Sequence, residues 1–419
     1  MPRSWIRWSL IPAVSLLLLA VSCRTVPTGT NPSRESSRVP QWNAVRLQEL
    51  DDAVNAAVSS NRTPGAVLWL EHRSARHVAV FGNRSVDPVR EPMTGDTVFD
   101  AASLTKVLAT TPAVMKLVEQ GRVDPARPVA AYLPEFTGGG RETITVGQLL
   151  THTSGLPPGL SRADPWSGPA EALRRACREP LMDPPGSRFR YSDINFILLG
   201  ELVHRVSGQT LDRFCTAGIY RPLGMRDTGF LPMPPGSLTA VSGIDVSRVA
   251  PTERIGSSVL RGVVHDPTAR RMGGVAGHAG LFTTAADLAR FCRMMLAGGV
   301  LDGQRVFRPE TVRAMTAVRS PAGLPRRGWG WDIDSPYAGP RGSLFPIGSY
   351  GHSGWTGTSV WIDPYSETFV ILLANRNHPT EAGNVLALRR QVGTLAARAI
   401  TDFDFSTVPG ALSADPGVR

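Results

Sequence analysis

Strand-like segments in this 419-residue chain are confined to its two ends, with a helix-rich stretch between them. Near the start, Ala66-Val67-Leu68-Trp69-Leu70 and His77-Val78-Ala79-Val80-Phe81-Gly82 are apolar runs rich in β-branched and aromatic residues. They are separated by a polar turn and read as a hairpin central to a sheet. Strand signals return only late, at Gly328-Trp329-Gly330-Trp331, across residues 351–363 and at 368–374, with Asp363-Pro364-Tyr365-Ser366 as the turn between the last two. Helical periodicity marks 107–118, the segment around Phe196 to Val203, 285–296 and a last helix over 385–400. Val45, Leu47, Leu50, Val54 and Ala57 give one further helix at the start. Both ends must therefore meet in one sheet. The reading is an α/β fold, with an antiparallel sheet built from both chain ends and flanked by helices, plus an inserted mostly helical domain. A cleft between the two parts is the default site.

The termini set the compartment and the boundaries. Arg3 and Arg7 precede an apolar run over residues 10–20, too short for a membrane span and suited to a secretory signal. Residues 1–23 read as that signal, 24–43 as a flexible Ser/Thr/Pro/Arg tether, 44–400 as the catalytic domain and 401–419 as a polar tail. Within the domain the sheet part takes about 44–102 and 325–400, and the helical part about 110–324. The balance is basic, with a formal charge of +10. The arginines are nevertheless scattered among acids without an aromatic-and-basic cluster, which argues against nucleic-acid binding. Cys177, Cys215 and Cys292 are an odd number in an exported chain and lack metal-ligand spacing, so they read as buried thiols.

Chemistry concentrates at Ser103-Leu104-Thr105-Lys106, which opens the helical run over 107–118. Three residues along a helix place Lys106 on the face of Ser103, where an amine can reach the hydroxyl and take its proton. The only lysines in the chain are Lys106 and Lys116. A guanidinium holds its proton where an ammonium can release it, so a chain that otherwise uses Arg keeps Lys where the amine must cycle. Lys116 reads as a solvated helix residue. Two further stretches complete the set. Tyr191-Ser192-Asp193 offers a phenol that a neighbouring ammonium can stabilise as phenolate. In Gly351-His352-Ser353-Gly354-Trp355-Thr356-Gly357, small residues let a substrate approach a strand edge, and the main-chain N–H of Trp355 can join that of Ser103 around an oxyanion.

Taken in that order and at those separations, the three stretches resemble the penicillin-recognising serine hydrolases. The resemblance is to the class C β-lactamase-like branch, with its low-molecular-weight penicillin-binding proteins, D-amino-acid peptidases and esterases. Leu149-Leu150-Thr151-His152-Thr153-Ser154-Gly155-Leu156 and the segment from Gly273 to Phe282 also match, and the likeness runs from about residue 44 to 400. It implies Ser103 as the acylated nucleophile, Lys106 as the activating amine and Tyr191 as the proton partner. His352, Ser353, Gly354, Trp355 and Asp193 would contact substrate. It implies no cofactor, a small-molecule or peptidoglycan-type substrate, and an envelope location. Leu19-Ala20-Val21-Ser22-Cys23 resembles a bacterial lipobox, which would place a membrane anchor on Cys23.

Two departures bear on the substrate. Asp193 stands where an Asn is commonest, and His352 where a Lys would give a permanent cation for a carboxylate. Both weaken an antibiotic-hydrolase reading more than the serine-hydrolase reading, and leave an ester (esterase) or a D-amino-acid peptide of cell-wall type (D-Ala carboxypeptidase) ahead of a β-lactam. They also support the alternative of a catalytically silent peptidoglycan- or partner-binding module. His278 reads either as a substrate contact or as a structural histidine in a turn; His265-Asp266 could face the site or merely cap a turn; His152 anchors the loop after its helix. No H-E-x-x-H or G-x-S-x-G is present, which argues against a zinc peptidase and an α/β-hydrolase.

Overall fold

The computed structural model describes residues 41–233, 244–408 and 410–411. The expected signal, Cys23, most of the tether and the end of the tail lie outside them. An eight-stranded antiparallel sheet forms the frame. Its strands are β1 (Gly65–His72), β2 (Ala75–Ser85), β3 (Glu91–Pro92), β4 (Arg326–Arg327), β5 (Asp332–Asp334), β6 (Tyr350–Ser353), β7 (Ser359–Asp363) and β8 (Thr368–Ala374), in the order β4-β5-β6-β7-β8-β1-β2-β3. The two chain ends meet where β1 pairs with β8, from Ala66 opposite Ala374 to His72 opposite Thr368.

The alternation of side chains along a strand divides the core into two layers. Ala66, Leu68 and Leu70 of β1 and Val370, Leu372 and Ala374 of β8 pack with Leu50 and Val54 of α1 (Ala44–Ser59) and with Leu388 and Val392 of the C-terminal helix Leu386–Ala399. The intervening Val67, Phe369, Ile371 and Leu373 point the other way, into the core of the helical portion. Central strands buried on both faces read as unbroken apolar runs, which is why β1 and β8 were legible without a polar face. The segment expected as a polar tail begins by folding back: Asp402 accepts from His72 and Arg73, at 3.0 and 2.6 Å, and Phe405 is buried against Phe345.

Three expectations shift. Gly328-Trp329-Gly330-Trp331 is the turn between β4 and β5, not a strand. Gly330 has φ +74°, and a Cβ there would lie 2.1 Å from Thr111 Oγ1, so the backbone turns where a helix presses against it. Residues 351–363 form two strands joined by a turn over 354–358. Lys116 is half-buried: its amine donates to Val306 O at 2.8 Å, lies 5.1 Å from the Phe307 ring centre, and is pushed down by burial.

Candidate active site

The Ser103 helix begins irregularly. Residues 102–104 make a tight 3₁₀ turn and Lys106–Thr110 a π-helical turn, before α2 (Thr111–Glu119) becomes regular. A π turn leaves main-chain carbonyls poorly served by the helix; a phenol and a thiol from elsewhere serve two of them, and a hydroxyl of the turn reaches out to a distant carbonyl. Tyr220 Oη donates to Leu108 O at 3.2 Å, Cys215 Sγ to Ala109 O at 3.5 Å, and Thr110 Oγ1 to Gly277 O at 2.6 Å. Ahead of the nucleophile, Ala102 is held at φ +47°, a left-handed conformation costly for a residue with a Cβ. Asp100 pins it: Oδ1 accepts from Ala102 N–H at 2.8 Å and Oδ2 from His265 N–H at 2.7 Å. Burial pushes the Asp100 carboxyl up, against the pull of these two donors.

Lys106 is fully buried, and its ammonium makes contacts on every side. It donates to Ser103 Oγ at 3.1 Å and to His278 O at 3.0 Å, and pairs with Asp193 Oδ1 at 2.7 Å. Its Nζ also stands 5.0 Å from the Tyr191 ring centre and 5.7 Å from that of Phe196. Burial works against the charge, but Asp193 and Tyr191 outweigh it and hold Lys106 above the ordinary lysine value. The amine is therefore an ammonium at rest. Asp193, expected to face substrate, instead serves as its counterion from the first turn of α3 (Asp193–Ser207).

Tyr191 precedes that helix and is fixed by aromatic neighbours. His152 stacks on it at 4.4 Å and 29°, Tyr337 lies 5.1 Å away and His352 6.1 Å. His152, at φ +58°, accepts Ser192 N–H on Nδ1 at 3.1 Å. Burial, then the charges of Arg327 and Lys106, keep its ring far below the usual histidine value and so neutral. The anchoring role expected of His152 thus extends to setting the plane of Tyr191.

The opposite wall is the end of β6 and the turn after it. His352 is buried, and burial, Arg327 and Lys106 push it well below the usual value. Its Nδ1 lies 2.9 Å from Ser353 O. A carbonyl only accepts, so Nδ1 carries the proton and Nε2 of the neutral ring is left as an acceptor. Gly354 lies flat against the nucleophile turn: a Cβ there would stand 2.6 Å from Ala101 O and 2.2 Å from Thr358 Oγ1. Thr356 Oγ1 donates to Asp100 O at 2.8 Å and Thr358 Oγ1 to Ala101 O at 3.0 Å, stapling the two walls together. From behind, the buried Arg389 donates to Gly354 O and to Thr358 O. Trp355 is 60% exposed, capped by the Arg376 guanidinium 4.6 Å from its ring centre, and its main-chain N–H takes no acceptor among the described residues.

Ser103, Lys106, Tyr191 and Asp193 therefore converge, with His352 and the Gly354 turn facing them. His278 does not face substrate: its ring pairs with Asp266 at 2.9 Å while its carbonyl receives Lys106. Asp193, Asp266 and His278 cluster as metal ligands would, but the Lys106 ammonium already supplies the cation there. Sequence reasoning missed Arg327 and Tyr337, which reach the site from distant segments and carry no local motif, whereas Asp266, expected either to face the site or to cap a turn, caps the helix that starts at Pro267 and also pairs with His278. A cavity of about 990 Å³, lined by Leu173, Ile197, Leu211, Met233, Met272 and Val275, lies within the helical portion and includes none of the residues converging on Ser103. Cys177, Cys215 and Cys292 are buried free thiols, and burial pushes Cys177 to about 11.

A sequence model of the family described as "Beta-lactamase" matches residues 50–394. A protein of Escherichia coli (strain K12) named "Putative D-alanyl-D-alanine carboxypeptidase" is 33% identical over 400 residues, covering 87% of this chain and 90% of the relative. Among solved structures, a penicillin-binding protein homolog from Caulobacter crescentus aligns with a TM-score of 0.67 at 23% identity, over 84% of this chain and 97% of that one. EstCE1, a hydrolase with promiscuous acyltransferase activity, aligns at 0.65 and 20%, over 83% and 98%. At these identities the two structures show a shared fold.

Proposed function

Because the chain belongs to the beta-lactamase family and is one of its serine hydrolases, we propose that it cleaves an ester or a D-alanine-type amide through an acyl-enzyme on Ser103. The observation that carries this reading is the Lys106 ammonium, 3.1 Å from Ser103 Oγ and packed against Tyr191. A protonated lysine cannot take the serine's proton. Tyr191 is then the base, its phenolate stabilised by the neighbouring ammonium, and it returns the proton to the leaving group. The N–H groups of Ser103 and Trp355 hold the developing oxyanion, and water releases the acid. His152 and Asp193 position Tyr191 and Lys106.

The neutral His352 offers no charge to a carboxylate, which counts against a β-lactam, with β-lactamase activity weak or absent, and favours an ester over a substrate with a free carboxylate. The relative's name supports a D-alanyl peptide of the cell wall. An exported, envelope-located enzyme fits such a substrate, with a signal over 1–23, a lipid on Cys23 anchoring it to a membrane, and residues 24–43 as the tether. No helix among the described residues is long and apolar enough to cross a membrane.

The experiment compares wild type with Ser103→Ala on p-nitrophenyl butyrate, a D-Ala-D-Ala peptide and a chromogenic cephalosporin. A fluorophosphonate probe, with peptide mapping, locates the acylated residue. Turnover of all three by the variant at the wild-type rate, or a label elsewhere, sinks the mechanism. Folded wild type that neither labels nor turns over any of them returns the silent binding module.

A further inference from the structure

The Lys106 ammonium has three partners, and two of them are set by the helices that carry them: Ser103 one turn earlier and Asp193 at the start of α3. The third, His278 O at 3.0 Å, belongs to a loop. That loop runs from the helix Pro267–Arg271 to the strand Leu281–Thr283 and carries four glycines, at 273, 274, 277 and 280. A carbonyl in so glycine-rich a segment keeps its aim only where side chains tie the segment down.

Two ties hold it. On the side of the nucleophile helix, Thr110 Oγ1 donates to Gly277 O at 2.6 Å. On the far side the His278 ring is bound to Asp266: Nε2 lies 2.9 Å from Oδ1, and because a carboxylate only accepts, Nε2 carries the proton. The same Oδ1 accepts Ala269 N–H at 2.7 Å and caps the helix, so the carboxylate is itself fixed. Burial works against its charge, but the His278 ring and the Lys106 ammonium outweigh it and hold the Asp266 carboxyl far below the usual carboxylate range, so it remains an anion. His278 is 1% exposed, and its Nδ1 is buried with no partner among the described residues. An unpaired nitrogen there costs stability that an apolar side chain would not, so what the imidazole contributes is the bond from Nε2.

We propose that Asp266 and His278 are positioning residues for the acyl-enzyme chemistry: the pair aims the His278 carbonyl at Lys106 and so keeps the ammonium between Ser103 and Tyr191. The proposal rests on the Ser103 reading given above. Asp193, Asp266 and His278 each offer an atom within 4.8 Å of the others, so two carboxylates converge on the lysine, Asp193 directly and Asp266 through the ring. Without that tie the third N–H of Lys106 loses its fixed acceptor. The amine is then drawn to Asp193 and away from Ser103 Oγ, and acylation slows although the nucleophile is intact.

Full-length wild type, His278→Ala, His278→Gln and Asp266→Asn are compared on p-nitrophenyl butyrate. Turnover is expressed per site that a fluorophosphonate labels at saturation, and the rate of labelling is followed alongside. A glutamine amide can still donate to Asp266, and an asparagine at 266 can still cap the helix and accept from Nε2. The expected result is a fall of about 10²-fold in kcat per labelled site in His278→Ala, the scale of a misplacement of about 1 Å, with labelling slowed in step and KM unchanged. Most of the rate returns in His278→Gln and is kept in Asp266→Asn. A merely structural role lowers Tm and the number of sites that label while leaving kcat per site as in wild type, and that result overturns the proposal. Equal losses in the alanine and the conservative variants overturn it too. Should His278→Ala not fold, Asp266→Ala measured against Asp266→Asn carries the same comparison, since only the alanine removes the acceptor. A label on a residue other than Ser103 removes the acyl-enzyme reading and this proposal with it; labelling and turnover at Ser103 with either overturning result removes this proposal alone.

Discussion

The two walls of the cleft differ in kind. The Ser103 side is built of buried charge, with Lys106 held among Asp193, His278 O and the Tyr191 ring. The β6 side faces it with neutral groups, a histidine kept uncharged and a glycine, and keeps the Arg389 guanidinium behind them. In the proposed mechanism the charged wall activates Ser103 through Tyr191. On that reading the uncharged acceptor on the other wall favours an ester over a substrate with a free carboxylate. Burial first, and then the Arg327 and Lys106 cations, keep His352 neutral, so the charge of one wall adds to the neutrality of the other.

The largest effect should come from removing the product of the charged wall. Ser103→Ala is expected to lower kcat by at least about 10⁴-fold, the scale seen when a hydrolase loses its nucleophile, in a p-nitrophenyl ester assay. Lys106→Met leaves Tyr191 without its cation, and a loss of about 10³-fold in kcat/KM follows from the usual range for acid–base groups. A smaller change would show that the ammonium is dispensable. On the neutral wall, Gly354→Ala drives a methyl into Ala101 O and displaces the oxyanion strand. Kinetics should show about a 10²-fold fall in kcat, since misplacement by about 1 Å costs that much.

These three positions were legible in the sequence because each is carried by a local pattern: a serine and lysine three apart, a tyrosine before a helix, small residues entering a strand. The partners that set their ionisation were not. Asp193 stood in plain view but read as a substrate contact, since only the folded chain reveals that it lies 2.7 Å from Lys106. Arg327 and Tyr337 act across long sequence separations. The sheet was readable from apolar runs at both ends, whereas Gly328-Trp329-Gly330-Trp331 misled because aromatic residues mark turns packed against a helix as readily as strands. Lys116 misled because periodicity gives a helix face, not what a neighbouring segment lays over it.

Two subtler changes sharpen the contrast. Asp193→Asn removes the anion that raises Lys106, so the ammonium should release its proton more easily. The kcat/KM–pH profile should move to lower pH, and a profile that does not move would deny Asp193 its role as counterion. The smallest effect concerns stability. His152 and His352 are both held well below 6.5, so below that pH the unfolded chain binds protons that the folded chain does not. Stability contributed by their neutral burial is present above about pH 6.5 and falls as pH drops, by about 1.4 kcal/mol per unit for each ring. Denaturant melts of His352→Asn between pH 7 and 5 should show a shallower decline than wild type.

The edge where α1 begins carries one more consequence. Asn43 N–H donates to Ala399 O at 2.8 Å, and Thr401 N–H to Gln41 O at 3.2 Å, so the catalytic domain is entered and left side by side. A short linker joining those two points would close the domain into a ring, and new ends could be opened in a surface loop remote from Ser103. Spliced into a loop of a host protein, the domain would behave as a plug-in cassette whose insertion asks the host for a gap only a few ångströms wide.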